Sequence, residues 1–338
     1  MLIGGLVTRA LAQTSSWDLQ LLRCLMAEAR TSGTYLSRTP ALPVPELRSK
    51  GWRSYWNVTT IPNGQSGSTG QPHYGGYLPA AFLLAGDTTT GLGRLLTDRA
   101  RAYCMYMMQG YDAGEWEWNE SMSNEQARFL LPLAWLVRVD DTPLHRNWLD
   151  RMVRDLLASQ DAKTGAIKQE FGRGNESGRC SPCAPSSNSA YGSGEGPIMH
   201  DGEEPLADSL YTLPFALAGL REAFGATQLE HYRDAETKLA GFLVRTQVVS
   251  EAHPELDGAW FRAFDYNAWE FWASDNDWGY GPWTTETGWS NGWIMSTLAA
   301  REANTTLWEV AHRRKFDQKL VRAVCLEMMP GLEDYCSD

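Results

Sequence analysis

Leu78-Pro79-Ala80-Ala81-Phe82, Leu131-Pro132-Leu133-Ala134-Trp135 and Leu213-Pro214-Phe215-Ala216-Leu217 align without a gap, each with Ala two residues after Pro. Each stretch runs into a polar break, Gly86-Asp87-Thr88, Asp140-Asp141-Thr142 or Gly225-Ala226-Thr227. Beyond each break a second, more charged helical pattern follows, at about 92–109, 144–159 and 228–248. A fourth copy without the Pro runs from Trp293 to Glu302, ends in Ala303-Asn304-Thr305, and leads into a charged pattern over 306–328. An amphipathic segment near 15–30 precedes them all. In the third copy Leu206, Leu210, Leu213, Leu217, Leu220 and Phe224 alternate by four and three, one continuous apolar helical stripe. Proline inside a helix costs about 3 kcal/mol, so each Pro either lies near a first turn or kinks every copy alike.

Apolar helix, short turn, polar helix, repeated, predicts an inner layer of apolar helices backed by amphipathic ones. The expected class is all-α, an α/α toroid of repeated helical hairpins with short β-hairpins in the rim loops. An open α-solenoid has the same signature. Long uneven inserts at 31–73, 160–203 and 250–286 all precede inner helices and favour the toroid. Alternating pieces at Glu115–Trp118, Ala166–Phe171 and Trp260–Phe264 are the expected rim strands.

The 338 residues, 43% hydrophobic, suffice for one large core, and we expect a single domain over 15–330 with a tail at 331–338. Residues 1–14 read as a signal-like remnant or disordered leader: Ala10-Leu11-Ala12 resembles a cleavage site, but Arg9 interrupts the apolar run and no basic head precedes it. A secreted or periplasmic location is the expectation, with a cytoplasmic one left open. The net charge of −11 argues against nucleic acid as a partner. No run reaches the roughly 20 apolar residues of a membrane span. Cys24 and Cys104 read as small core residues, and Cys180-Ser-Pro-Cys183 as a loop disulfide or two free thiols.

Between Ala259 and Trp293 stand seven tryptophans (260, 269, 272, 278, 283, 289, 293) among Asp265, Glu270, Asp275, Asp277 and Glu286. Flat aromatic faces hold the C–H surfaces of sugars and carboxylates hold their hydroxyls, so this mixture points to a carbohydrate partner. Packing alone is the competing explanation. The residue six before each Pro is His73, Gln126 or Asp208, expected at equivalent inner-helix starts, where unsatisfied N–H groups favour carboxylates. Glu286 precedes the fourth inner helix. Glycosidic hydrolysis needs two carboxyl groups; Asp208 and Glu286 are the preferred pair, with Glu125 as substitute. First-turn capping is the alternative role for Asp208 and Glu125. His73, Tyr77, His200, Tyr211, Trp260, Trp278, Trp283 and Trp289 are the expected sugar contacts. Arg262 is either a clamp for a uronate carboxylate or a plain salt bridge. No P-loop, dinucleotide fingerprint, nucleophile elbow or zinc-protease motif is present, so neither cofactor nor metal is expected.

The repeats around Pro79, Pro132 and Pro214, the run Leu157-Ala158-Ser159-Gln160-Asp161 with Thr164-Gly165-Ala166, and the Trp/Gly/acid stretch 278–293 resemble the six-hairpin glycosidase superfamily of (α/α)6 toroids. The resemblance spans about 15–328. It implies a glycoside hydrolase, with enzymes acting on glucuronides and unsaturated uronides among its members. Neighbouring toroids are polysaccharide lyases or sugar epimerases, in which Tyr211 or Tyr266 with His73 or His200 would handle a C5 proton. A non-catalytic carbohydrate-binding protein is the third reading.

Overall fold

Three hydroxyl caps mark where helices begin: Thr90, Ser121 and Thr142 accept from the backbone N–H of Gly93, Asn124 and His145 at 3.0, 3.1 and 3.2 Å. Each such cap contributes about 1 kcal/mol. They open α2 (Gly91–Asp112), α3 (Met122–Val139) and α4 (Pro143–Leu157), after α1 (Tyr77–Ala85). The computed structural model describes residues 23, 26, 77–86, 90–114, 116, 121–170, 198, 204–272, 290–312, 318–328 and 333–336. Within them follow β1 (Leu206–Asp208), α5 (Thr212–Thr227), α6 (Glu230–Arg245), β2 (Ala263–Asp265), β3 (Glu270–Phe271), α7 (Ser290–Glu302), α8 (Leu307–His312), α9 (Gln318–Met328) and a 3-10 turn at Glu333–Cys336. Among the described residues the protein is mostly helical, with one small antiparallel sheet in the order β1-β2-β3.

The helices form two layers. α1 packs on α3, α3 on α5 and α5 on α7, while α2, α4 and α6 each back the inner helix that precedes them. Every residue of α5 from Thr212 to Ala223 is buried, whereas α4 buries a single stripe, His145, Trp148, Leu149, Met152, Val153 and Leu156. The sequence contrast between apolar and charged copies is therefore the contrast between inner and outer helices. Among the described residues no helix is long and apolar enough to cross a membrane. Cys104 lies in the core, as its apolar surroundings suggested; Cys180 and Cys183 lie outside the described residues.

The register of the copies differs from expectation. Pro79 and Pro214 are third residues of their helices, where the N–H has no intrahelical partner to lose. Pro132 is well inside α3. Equal offsets from Pro thus do not mark equal places: Gln126 is inside α3, whereas Asp208 ends β1. The stripe drawn from Leu206 is also interrupted, because Leu206 pairs opposite Asp265 in the sheet and α5 begins only at Thr212. Of the expected rim strands, Ala263–Asp265 forms β2, Ile167 makes an isolated bridge to Gln160, and Glu115 and Glu117–Trp118 lie outside the described residues.

The closest inner contact joins α3 and α5 at Gly219, where an added Cβ would stand 2.4 Å from the Cβ of Leu130. At the far end of the same pair Glu222 is fully buried. Its carboxylate accepts from the Trp135 indole at 2.7 Å and from the first amides of α8, Leu307 at 2.6 Å and Trp308 at 3.4 Å. Burial pushes the Glu222 carboxyl above the usual range, against the pull of these donors.

Gly219→Ala is expected to destabilise the protein by about 1–3 kcal/mol through overpacking, measured by urea denaturation; an unchanged midpoint refutes the close approach. With its folded-state pKa raised, Glu222 contributes stability in full below the unfolded value of about 4.3, and loses it as pH climbs through the folded value. Glu222→Gln should flatten the fall in unfolding free energy from about pH 4 to neutrality. Denaturation curves recorded across that range test this, and a variant that parallels the parent at every pH contradicts it.

Candidate functional site

Main-chain hydrogen bonds from the insert residues 169 and 170 stitch the starts of α3 and β1 into one rim. The amides of Met122 and Ser123 donate to Glu170 O at 2.9 and 3.2 Å, and Gln169 N donates to Leu206 O at 2.8 Å. Ser209 N then donates to Arg262 O at 2.7 Å, tying the turn before α5 to the strand entering β2. Beneath this rim lies a buried polar cluster drawn from both inner helices.

Asp208 is its anchor. Its Oδ1 accepts from the amides of Leu210 and Tyr211 at 2.8 and 3.1 Å, fixing the turn that launches α5. Its Oδ2 accepts from Nε and Nη2 of Arg262 at 3.3 and 3.2 Å. Neither side chain of this pair has any exposure. Both oxygens of Asp208 are therefore engaged, and of the two fates considered for Arg262 the salt bridge is the one realised. Such a pair holds geometry more than it adds net stability, because desolvation offsets much of the attraction.

Tyr211 stands where two guanidinium groups meet. The Cζ of Arg262 lies 5.0 Å from its ring centroid and that of Arg128, from α3, 5.4 Å. Arg128 is also 4.2 Å from the Phe215 ring, and Phe215 meets Trp293 of α7 edge-on at 5.7 Å. Asn124 orients Arg128 by accepting from its Nε at 3.0 Å. Glu125, one residue further along α3, is completely buried, and its charge is one of those that, after burial itself, raise the Tyr103 phenol. One carboxylate, two guanidiniums and a tyrosine ring thus gather where the chain enters α5 beside α3, while Glu125 is buried in α3 within electrostatic reach of Tyr103 of α2. Cationic neighbours of this kind stabilise negative charge on a phenolic oxygen or on an incoming anionic group.

The remaining expected contacts divide. Trp260 is core, with its indole donating to Leu243 O at 2.7 Å at the end of α6. Trp116, within the stretch expected as a rim strand, is likewise buried and donates to Met107 O at 2.7 Å. Asp265 makes an Asx turn, accepting from the amides of Asn267 and Ala268, both at 2.8 Å. The Tyr266 phenol is pushed up to about 12, first by burial and then by Asp161, Glu170 and Asp265, which disfavours it as a base. His73, His200, Trp278, Trp283, Glu286 and Trp289 lie outside the described residues, as does the side chain of Tyr77, which opens α1. Among the described residues no three His, Cys, Asp or Glu side chains gather to hold a metal ion.

Arg128 and Asn124 were not singled out in the sequence, although a signal existed. Arg128 precedes nine uninterrupted apolar residues, Phe129 to Val137, and a charge at the edge of such a run must find a partner. The disulfide between Cys325 and Cys336 was missed as well.

No protein-family model matches this chain, and no curated protein matches it as a relative.

The buried pair makes a measurable claim. Asp208→Asn or Arg262→Gln alone should cost about 3–5 kcal/mol by leaving one charge unpaired, and the double variant should cost clearly less than the sum. A double-mutant cycle in guanidinium chloride reads the coupling; strict additivity would show that the two side chains are energetically independent.

Proposed function

We propose that the protein is a glycoside hydrolase built as an α/α toroid, with its active mouth where α3 and α5 begin. The observation that carries this reading is the buried polar cluster of Asp208, Arg262, Tyr211 and Arg128 where β1 runs into α5 beside α3, with a second buried carboxylate, Glu125, near the start of α3. In the sequence the Trp-rich insert lies between β3 and α7, the next helix of the inner row. Ring closure has its own support. Arg23 forms a forked ion pair with Glu327 of α9, with contacts of 2.9 to 3.1 Å, across 304 positions of sequence. The 3-10 turn at Glu333–Cys336, tethered to α9 by the Cys325–Cys336 disulfide, packs against α2. An open solenoid would hold such distant elements apart.

Within this reading the carboxyl groups divide their labour. Asp208, held by Arg262 and two amides, positions the start of α5 and Tyr211. Glu125 and Glu286 then supply the acid and the base or nucleophile. The substrate is an oligosaccharide or polysaccharide, with uronic-acid-containing glycans among the candidates. A disulfide accords with a secreted or periplasmic site of action.

One observation favours a second reading. A tyrosine ring approached by two guanidiniums is suited to take a C5 proton from a uronate, as a polysaccharide lyase or uronate epimerase requires. A panel of plant and bacterial glycans separates the two: hydrolysis releases reducing ends without ultraviolet absorbance, whereas elimination creates an absorbing unsaturated uronide. For the hydrolase, Glu286→Gln and Glu125→Gln should each lower kcat by about 100-fold or more, with Tyr211→Phe affected far less. Absorbing products together with an inactive Tyr211→Phe would replace hydrolysis by elimination, and a panel without any turnover would leave only sugar binding.

A further inference from the structure

At the tip of the β2–β3 hairpin two local rules are broken on one patch of surface. Trp269 holds φ at +61°, the left-handed region that side chains larger than Asn seldom enter. Its ring is met edge-on by Phe264 at 5.2 Å and Phe242 at 6.0 Å, yet the residue stays 41% exposed. On the facing helix α6, Gly241 sits exposed in the helical interior, with nothing within 4 Å of the place where a Cβ would stand. Almost any other residue there would favour the helix.

Arg245 joins the two irregularities. Its Nε donates to Gly241 O at 3.0 Å, its Nη2 to Thr164 O, and its Cζ lies 5.0 Å from the Trp269 ring centroid. The guanidinium is thereby locked beside the indole, and the bare backbone of Gly241 leaves the ground next to it flat. Exposed Lys238, Asn267 and Glu270 surround this ground with hydrogen-bonding groups. Fold stability alone favours the opposite choices at 241 and 269, and local rules are broken in this way where a surface is kept for binding.

We propose that Trp269, Arg245 and Gly241 form a saccharide-binding platform on the outer edge of the rim, which stacks one pyranose of a polymer against the exposed indole. The inference rests on the carbohydrate reading above and narrows it to a polymeric substrate. In the β1–β2 register Asp208 stands opposite Ala263 and Leu206 opposite Asp265. The hairpin tip is therefore at the end of the sheet away from the Asp208–Arg262 pair, with Trp269 about 10 Å further along the strand direction. A chain of several sugars bridges that span; a monosaccharide does not.

Affinity electrophoresis in gels containing single neutral or acidic polysaccharides tests the platform on the wild-type chain, Trp269→Asn and Gly241→Gln. Asn tolerates the left-handed backbone, and Gln fills the flat ground while favouring the helix, so Gly241→Gln should melt no lower than wild type. The expected result is retardation of the wild type by at least one polymer and a loss of about ten-fold or more in affinity in both variants, the scale of one stacking contact. Turnover of short oligosaccharides should be unchanged. The platform is overturned if no polymer retards the wild type, if folded variants are retarded equally, or if light scattering shows that the variants lose a dimer instead of a glycan. A wild type retarded normally but hydrolysing nothing would remove the hydrolase reading and leave the platform standing.

Discussion

The contact between α3 and α5 governs the molecule. A glycine at 219 lets α5 settle on Leu130, and this approach sets the spacing of the most extensively packed pair of the inner row. It also brings Arg128 of α3 over Tyr211 and Phe215 at the start of α5. Were the helices one methyl group further apart, the guanidinium would lose its aromatic faces, and the polar cluster would be open to water. Packing in the middle of the pair and electrostatics at its ends are therefore one constraint.

Two buried carboxylates, Asp208 and Glu222, serve main-chain amides at or just before helix starts. Asp208 accepts from the two amides that lead into α5, and Glu222 from the first two of α8. In each case one further donor, Arg262 or Trp135, completes the set. The cost of burying charge is thus offset by groups that would otherwise be orphaned. Such satisfaction makes Asp208 a rigid support for the turn that launches α5.

Layering was legible in the sequence because it depends on local periodicity: the polar breaks and charged companions fall close to the observed turns and outer helices. The start of α5 was not. Leu206, Leu210 and Leu213 keep helical spacing, but β1 exists because Leu206 and Asp208 find partners in β2, more than fifty residues on, and pairing at that distance leaves no local trace. The same distance separates Arg262 from Asp208, so the sequence could pose the choice between clamp and salt bridge without deciding it. Burial likewise divided the tryptophans: Trp116 and Trp260 send their indole N–H groups to carbonyls in the core, while Trp269 stays half exposed. Composition alone cannot sort a ring that packs from a ring that binds.

The short helix α8 illustrates how far this interdependence reaches. Six residues lie well below the length at which a helix persists alone in water, and the amides that begin it are held by an acid from another element. A reciprocal cap between Thr306 and Glu309 closes its first turn, and the α3–α5 pair supplies the rest of its order. Any fluctuation that separates those two helices withdraws both the acid and the Trp135 ring that packs against Trp308 at 5.6 Å, so α8 unravels in the same cooperative event. Trp308, whose ring leans on α3 and whose amide is held by α5, thereby joins the two helices into one packing unit from outside their shared contact.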